Sequence, residues 1–249
     1  MTDASTSETM SPGLLKVVER AKREPEGRFH SLAHLMDVSA LMRAYQRMRK
    51  DAAVGVDGVT KEKYGQNLED NLGDLHARLV TKRYRHQPIL RVHIPKDKSK
   101  TRPIGISAFE DKLVQDAVRE VLEAIYEQEF LDCSYGFRPG RGAHDAMVAL
   151  DRIAHRGKVS WILEADIMSF FDSLDRTKLK ELLQIRVADG SLMLVPPRAA
   201  RGGSAESAPV PPIRCGAFNL VLDVHPRHRR PSLHLLWLLL RDAFVHAQQ

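Results

Sequence analysis

Apolar residues recur four apart, twice over, in residues 109–130. Leu113, Ala117, Val121 and Ile125 form one row, and Val114, Val118, Leu122 and Tyr126 form the other. Charges fill the opposite side, which predicts an amphipathic helix with one broad buried face. Looser helical spacing of Leu32, Leu35, Leu41, Met42, Tyr45 and Met48 predicts another helix over 31–50. "GVDGVT", 55–60, is a glycine-punctuated turn, and Thr60 is a good cap for a helix over about 61–82. Between these helical stretches, runs around Ile89–Ile94 and Arg102–Ile106 flank a polar, lysine-rich tip. That pattern predicts a β-hairpin over 88–107. "SYGFRPGRGAHDA", 134–146, reads as a Gly/Arg loop leading into a helix to about Ala154. "VSWILEAD", 159–166, has the length and composition of a buried strand. Residues 175–187 are again helical in pattern, and the polar residues 1–12 predict disorder.

The pattern ends at residue 194. From Leu194 to Gln249 there is no lysine, and Glu206, Asp223 and Asp242 are the only acids. Seven of the chain's 13 prolines lie here, and the segment reads as linker or disorder. This tail also carries most of the formal net charge of +6, with seven arginines against three acids. Whole-chain charge is therefore a poor argument for a nucleic-acid partner, and a local count serves better. Residues 82–102 hold eight lysines and arginines against Asp97 alone. A positive field concentrated on a hairpin and its approach suits phosphate contacts.

Composition otherwise excludes more than it assigns. The chain is 43% hydrophobic and 28% charged over 249 residues, which is enough to bury a core. Cys133 and Cys215 are too far apart to suggest a metal pattern or a disulfide framework, so a reducing, cytoplasmic setting is expected. The longest apolar run, "LLWLLL" at 235–240, is too short for a bilayer, and no membrane partner is expected.

The chemistry centres on "ADIMSFFDSLD", 165–175. Asp166 stands at the end of the predicted strand, and Glu164 shares its face because side chains alternate. Two-metal phosphoryl transfer needs carboxylates that can bridge its ions, and Mg²⁺ favours hard oxygen ligands. Asp172 could be a second ligand, an N-cap or neither. Taken alone, an aspartate after a strand more often ends a turn or caps a helix.

The order of the blocks sharpens this. "GVDGVT", "IPKDKSKTRPIGISAFEDKLVQDAV", "SYGFRPGRGAHDA" and "WILEADIMSFFDSLD" together resemble the N-terminal half of group II intron-encoded reverse transcriptases and maturases. Bacterial retron-type enzymes share the pattern more loosely. The resemblance implies an α+β chain: the fingers and partial palm of a right-hand polymerase, with a disordered C-terminal tail. Its parts would be a disordered N-terminus at 1–12, a helical N-terminal extension at 13–82, fingers at 83–158, a partial palm at 159–193 and a non-family tail at 194–249. It implies that Asp166 is the first catalytic aspartate and binds two Mg²⁺ ions, with the backbone carbonyl of Ile167 as a further ligand. Lys96 and Arg102 would grip the incoming deoxynucleoside triphosphate, an arginine fork suiting phosphate oxygens. Phe171 would exclude a ribose 2′-hydroxyl. Lys98, Lys100, Arg138 and Arg141 would touch RNA, while Tyr135 and Phe137 pack. "GVDGVT" would lie against template RNA, with Asp57 as a turn residue, and Asp145 would complement the start of its helix.

After "LLQIRVADGSLM", 183–193, the resemblance stops. The family continues with a Gly-Pro-Gln-Gly type block, a Tyr-Ala-Asp-Asp hairpin, a thumb and a maturase domain. The tail carries none of these, and Asp223 is a lone acid. A frameshift or gene disruption near codon 194 is the simplest explanation. Three readings follow: an RNA-directed DNA polymerase fragment that is truncated and inactive, a non-catalytic RNA-binding fragment, or a decayed product. The family's partners are intron or template RNA and a DNA primer; the oligomeric state is not legible.

Overall fold

The computed structural model describes residues 10–97, 100–156 and 175–194. Helix α1 spans Pro12–Arg23. Ser11 caps it, its Oγ accepting from Leu14 N, and Pro12 occupies the first turn, where its missing N–H costs nothing. Ser11 and Pro12 are therefore ordered, although the sequence pattern predicts disorder over 1–12; residues 1–9 lie outside the described residues. Leu14, Val17 and Ala21 line one buried stripe, and the last turn carries Arg20, Lys22 and Arg23, which suit the negative helix end.

The helix expected over 31–50 is broken. A 3₁₀ turn at Ala33–Leu35 comes first, and α2 spans only Val38–Arg47. The cause is local, because Asp37 is in extended conformation and its Oδ1 accepts Ala40 N at 2.7 Å. A capping aspartate starts a new helix rather than continuing an old one. The helix expected over 61–82 is likewise two, α3 at Lys61–Gly65 and α4 at Leu68–Val80. Thr60 caps α3 as expected, accepting Lys63 N at 3.2 Å. At the break, Gly65 lets Tyr45 approach: a Cβ there would fall 2.4 Å from the Tyr45 hydroxyl. Asn71 Nδ2 donates to Tyr64 O and takes up a carbonyl at the break.

Helix α5, Phe109–Tyr126, is the centre of the fold. Both apolar rows are buried, and α1 and α2 pack on it. Each fully buried leucine, such as Leu41 or Leu113, contributes about 1.5–3 kcal/mol. Its other side meets α2 through ions: Arg43 pairs with Glu120 at 2.9 Å and Arg47 with Asp116 at 2.6 Å. Asp116 is only 2% exposed, so this charge is sustained by Arg47 and Arg119 together rather than by water. The helix stops at Tyr126, short of the expected 130.

Strands β1, Leu90–Asp97, and β2, Lys100–Ile106, form the expected antiparallel hairpin. Helices α6, Ala143–Arg156, and α7, Arg176–Arg186, also fall where the sequence places them. The chain is thus mixed helical with a small two-stranded sheet. The strand expected at 159–166 lies outside the described residues. Among the described residues, no helix is long and apolar enough to cross a membrane.

Helix α7 returns to the N-terminal region. Phe29 N donates to Arg186 O and Ala188 N to Phe29 O, both at 2.8 Å, forming a parallel bridge between Phe29 and Val187. Arg186, 1% exposed, pairs with Glu129 and donates to the carbonyls of Glu24 and Gly27. Asp189 accepts four backbone N–H groups, from Leu32 (2.6 Å), Ala33 (2.8 Å), Ser191 (2.8 Å) and Leu192 (3.2 Å).

Candidate nucleic-acid interface

The hairpin pairs Leu90 with Ile106, Val92 with Ile104 and Ile94 with Arg102. Near the tip the register slips between Pro95 and Asp97, so Lys96 is the extra residue of a bulge. Lys100 closes the ladder opposite Asp97. Lys98 lies outside the described residues. The positions of Lys96, Lys100 and Arg102 therefore cluster within a few residues of the turn, as the sequence implied.

A two-stranded ribbon is marginal by itself, and this one packs little on the helices. Leu90, Val92 and Ile94 remain 37–45% exposed. Its stability comes from its two ends. At the entrance, Tyr84 donates its hydroxyl to Asp111 Oδ1, and Gln87 N donates to Asp111 Oδ2 at 3.0 Å. Asp111 is 3% exposed. Burial pushes its carboxyl above the usual aspartate range, while Tyr84 and the Gln87 amide pull the other way. Burial and the Asp111 carboxylate both push the Tyr84 hydroxyl up, so it stays a donor. At the exit, the "GVDGVT" turn sits on the junction of β2 and α5. A Cβ on Gly55 would meet Ser107 O at 2.4 Å and Ala108 Cα at 2.7 Å. Asp57 Oδ1 accepts Val59 N, the turn role expected of it, and Oδ2 accepts Phe109 N at 2.8 Å. Lys112, 3% exposed, donates to Ala53 O. Burial lowers its ammonium pKa, opposed by the charge of Asp57. Both ends of the hairpin are thus held by the first turn of α5.

The Gly/Arg loop departs from expectation at Arg138. Its Nε and Nη2 donate to Glu127 Oε1 at 3.0 and 2.7 Å, and its Nη1 to the carbonyls of Leu131 and Ser134. Its side chain is 5% exposed and lies over the Phe130 ring. In this arrangement it braces the loop after α5. Arg141 is partly committed too: it donates to the Asp132 carboxylate and carbonyl and lies over Tyr135. It keeps some exposure, 28% for the side chain. Asp145 accepts Gly142 N at 2.8 Å and supports the start of α6 as expected.

Asp166, Ile167 and Phe171 lie outside the described residues. Among the described residues, no group of three or more His, Cys, Asp or Glu could hold a metal ion. Sequence reasoning missed Asp111 and Asp189. Asp111 carried one signal, a second acid in the first turn of a helix; Asp189 carried only that of a local turn residue, because two of its four donors, Leu32 and Ala33, lie far away in the chain.

The family model for reverse transcriptase (RNA-dependent DNA polymerase) matches residues 94–194, from within β1 to the end of the described residues. Over that stretch the chain is similar to reverse transcriptases. It is related there to group II intron-encoded proteins and maturases. It is 36% identical over 147 residues to the group II intron-encoded protein LtrA of Lactococcus lactis subsp. cremoris, covering 59% of this chain and 24% of that one. Protein YkfC of Escherichia coli K12 is 37% identical over 144 residues, covering 56% and 37%. Nuclear intron maturase 2 of Arabidopsis thaliana is 33% identical over 66 residues, covering 26% and 9%. The chain spans well under half the length of each of these relatives.

Proposed function

We propose that residues 83–158 are the fingers, and residues 159–193 the first part of the palm, of a group II intron-type RNA-directed DNA polymerase. The observation that carries this reading is the hairpin: a lysine-rich tip inside the family match, held at both ends by the first turn of α5. Lys96 and Arg102 are its proposed contacts to the incoming triphosphate, and Lys98, Lys100 and Arg141 its contacts to RNA. Asp166, with the Ile167 carbonyl, is the proposed ligand of two Mg²⁺ ions; these are hard oxygens, which fits that metal. Bound there, the ions would activate the primer 3′-hydroxyl and neutralise the leaving phosphate. Phe171 is proposed to select deoxynucleotides, and the protein to work in the cytoplasm.

We read residues 194–249 as a non-family tail of frameshift origin. A family match that stops at residue 194 supports this, as does the loss of lysine beyond it. Those residues contain no Tyr-Ala-Asp-Asp block to complete the carboxylate set. On this reading the chain binds RNA and makes no DNA. The test is primer extension on an RNA template with Mg²⁺ and dNTPs, beside an Asp166→Ala control. No product from either, with RNA still bound, is expected. DNA from the chain and none from the control overturns the inactive reading. Loss of RNA binding as well leaves only a decayed product.

A further inference from the structure

We infer that the root of the hairpin, not only its tip, carries a binding site for the phosphodiester backbone of single-stranded RNA, formed by Lys82, Arg83 and Arg85. This deepens the proposed function and rests on its nucleic-acid reading.

Three observations converge on this short stretch. The first is backbone geometry. Just past the C-cap of α4, Lys82 stands at φ 58°, the left-handed region where glycine is usual, and the N–H groups of Arg83 and Tyr84 both return to Arg78 O at 2.9 Å. A lysine in that position accepts backbone strain, which is a mark of sites held for function. The second is alternation. Tyr84 turns inward to Asp111, so its neighbours Arg83 and Arg85 are left exposed on either side. Arg85 Nη1 donates to the carbonyls of Lys82 (3.0 Å) and Tyr84 (2.8 Å), and Arg83 Nε donates to Thr81 Oγ1 (3.1 Å). Each guanidinium is oriented by one edge and keeps its other donors for a ligand.

The third is charge. Ten of the described arginines pair with carboxylates. Among the described residues, no carboxylate pairs with Lys82, Arg83 or Arg85. Three adjacent unpaired cations repel one another, and a polyanion removes that cost. The eight residues of β1 run from this root to the tip, about 27 Å at the rise of an extended strand. A linear chain of phosphates spans that distance and meets positive charge at both ends, which a single small anion does not.

The experiment measures binding of the full chain to a labelled uridine 20-mer RNA across a series of KCl concentrations. The variants are Arg83→Gln, the triple Lys82→Gln/Arg83→Gln/Arg85→Gln, the tip pair Lys98→Gln/Lys100→Gln, and Arg83→Lys. Each phosphate contact contributes roughly 0.7 to the slope of log affinity against log salt for a single strand. The triple variant is expected to flatten the slope by about 2 and Arg83→Gln by about 0.7, with Arg83→Lys close to the parent. Arg83→Gln leaves the Arg85 carbonyl bonds in place, so the site remains testable should the triple variant fail to melt cooperatively. An unchanged slope in the root variants, with a flatter one in the tip pair, overturns the root site and leaves the RNA reading standing. No RNA binding by the parent chain overturns both. Binding to phosphatidylserine vesicles that the root variants abolish, with RNA binding intact, assigns the patch to a membrane and overturns it too.

Discussion

Asp57 Oδ2 accepts the backbone N–H of Phe109 at 2.8 Å, across 52 residues of chain. Helix α5 has no cap from its own N-cap residue, Ala108, so a carboxylate from the 55–60 turn takes that place. Asp57→Ala should therefore cost about 1 kcal/mol, the usual worth of a cap. Asp57→Asn, which keeps an acceptor, should cost less. Urea denaturation of the two variants checks the order.

The same junction gives a contrast between glycines. Gly55→Ala would drive a methyl into Ser107 O and the Ala108 backbone, and backbone cannot step aside cheaply. A loss of roughly 1–3 kcal/mol is expected, as for other forced overpacking. Gly73, inside α4, has nothing within 4 Å of an added Cβ. Gly73→Ala should stabilise the protein by about 0.5–1 kcal/mol. Opposite shifts in the denaturation midpoint are the outcome to look for.

Asp189 predicts a pH dependence. Burial works to raise its carboxyl, but its four backbone donors outweigh that and hold it below the ordinary aspartate value of 3.8. A depressed folded-state pKa contributes stability above the unfolded value and loses it as pH falls through the folded one. Asp189→Asn turns an NH₂ towards two of the four donors and removes the charge, so it should cost about 2 kcal/mol at pH 7. The gap between parent and variant should close as pH drops through the folded pKa of Asp189. Denaturation at a series of pH values measures it.

Arg186 and Glu129 form a deeply enclosed ion pair, with side chains 2% and 17% exposed. Burial pushes the Glu129 carboxyl up, and Arg186 opposes this. Arg186→Ala should cost roughly 3–5 kcal/mol, because it strands a buried acid. Adding Glu129→Gln should recover part of that loss. A double-mutant cycle would read the coupling, and additive losses would show that the pair does not act as a unit.

Arg138 separates bracing from binding. Its donors are occupied by Glu127 and two carbonyls. Arg138→Gln should lower stability by about 2 kcal/mol while leaving the salt dependence of RNA binding unchanged. A flatter salt slope in a variant that melts normally would restore it as a phosphate contact.

The legible parts of the fold were those governed by local pattern. The two apolar rows of α5, the Thr60 cap and the hairpin flanking its lysine tip each follow from residues close in sequence. The failures share one physical origin. The breaks before Val38 and Leu68 depend on a capping aspartate and on how closely Tyr45 meets Gly65, and apolar spacing registers neither. Arg138 looked like a free cation because its partners, Glu127 and two carbonyls, cannot be inferred from charge alone. Asp57 was readable as a turn residue, but its second oxygen answers to a helix far along the chain. At the proposed interface the tip lysines were visible by composition, whereas the clamp that holds them, Asp111 with Tyr84 and Gln87, became visible only in three dimensions.

The four amides gathered by Asp189 also set a timetable. Leu32 and its acceptor are 157 residues apart, so the amino-terminal helices leave the ribosome long before the carboxylate that ties them down. At about 5–20 residues per second, that wait is on the order of ten to thirty seconds. Until then the parallel bridge at Phe29 has no partner strand, and the buried places of Arg186 and Val187 stand open. Contacts this distant favour slow closure. The nascent amino-terminal half must stay soluble through that interval without the contacts that close it.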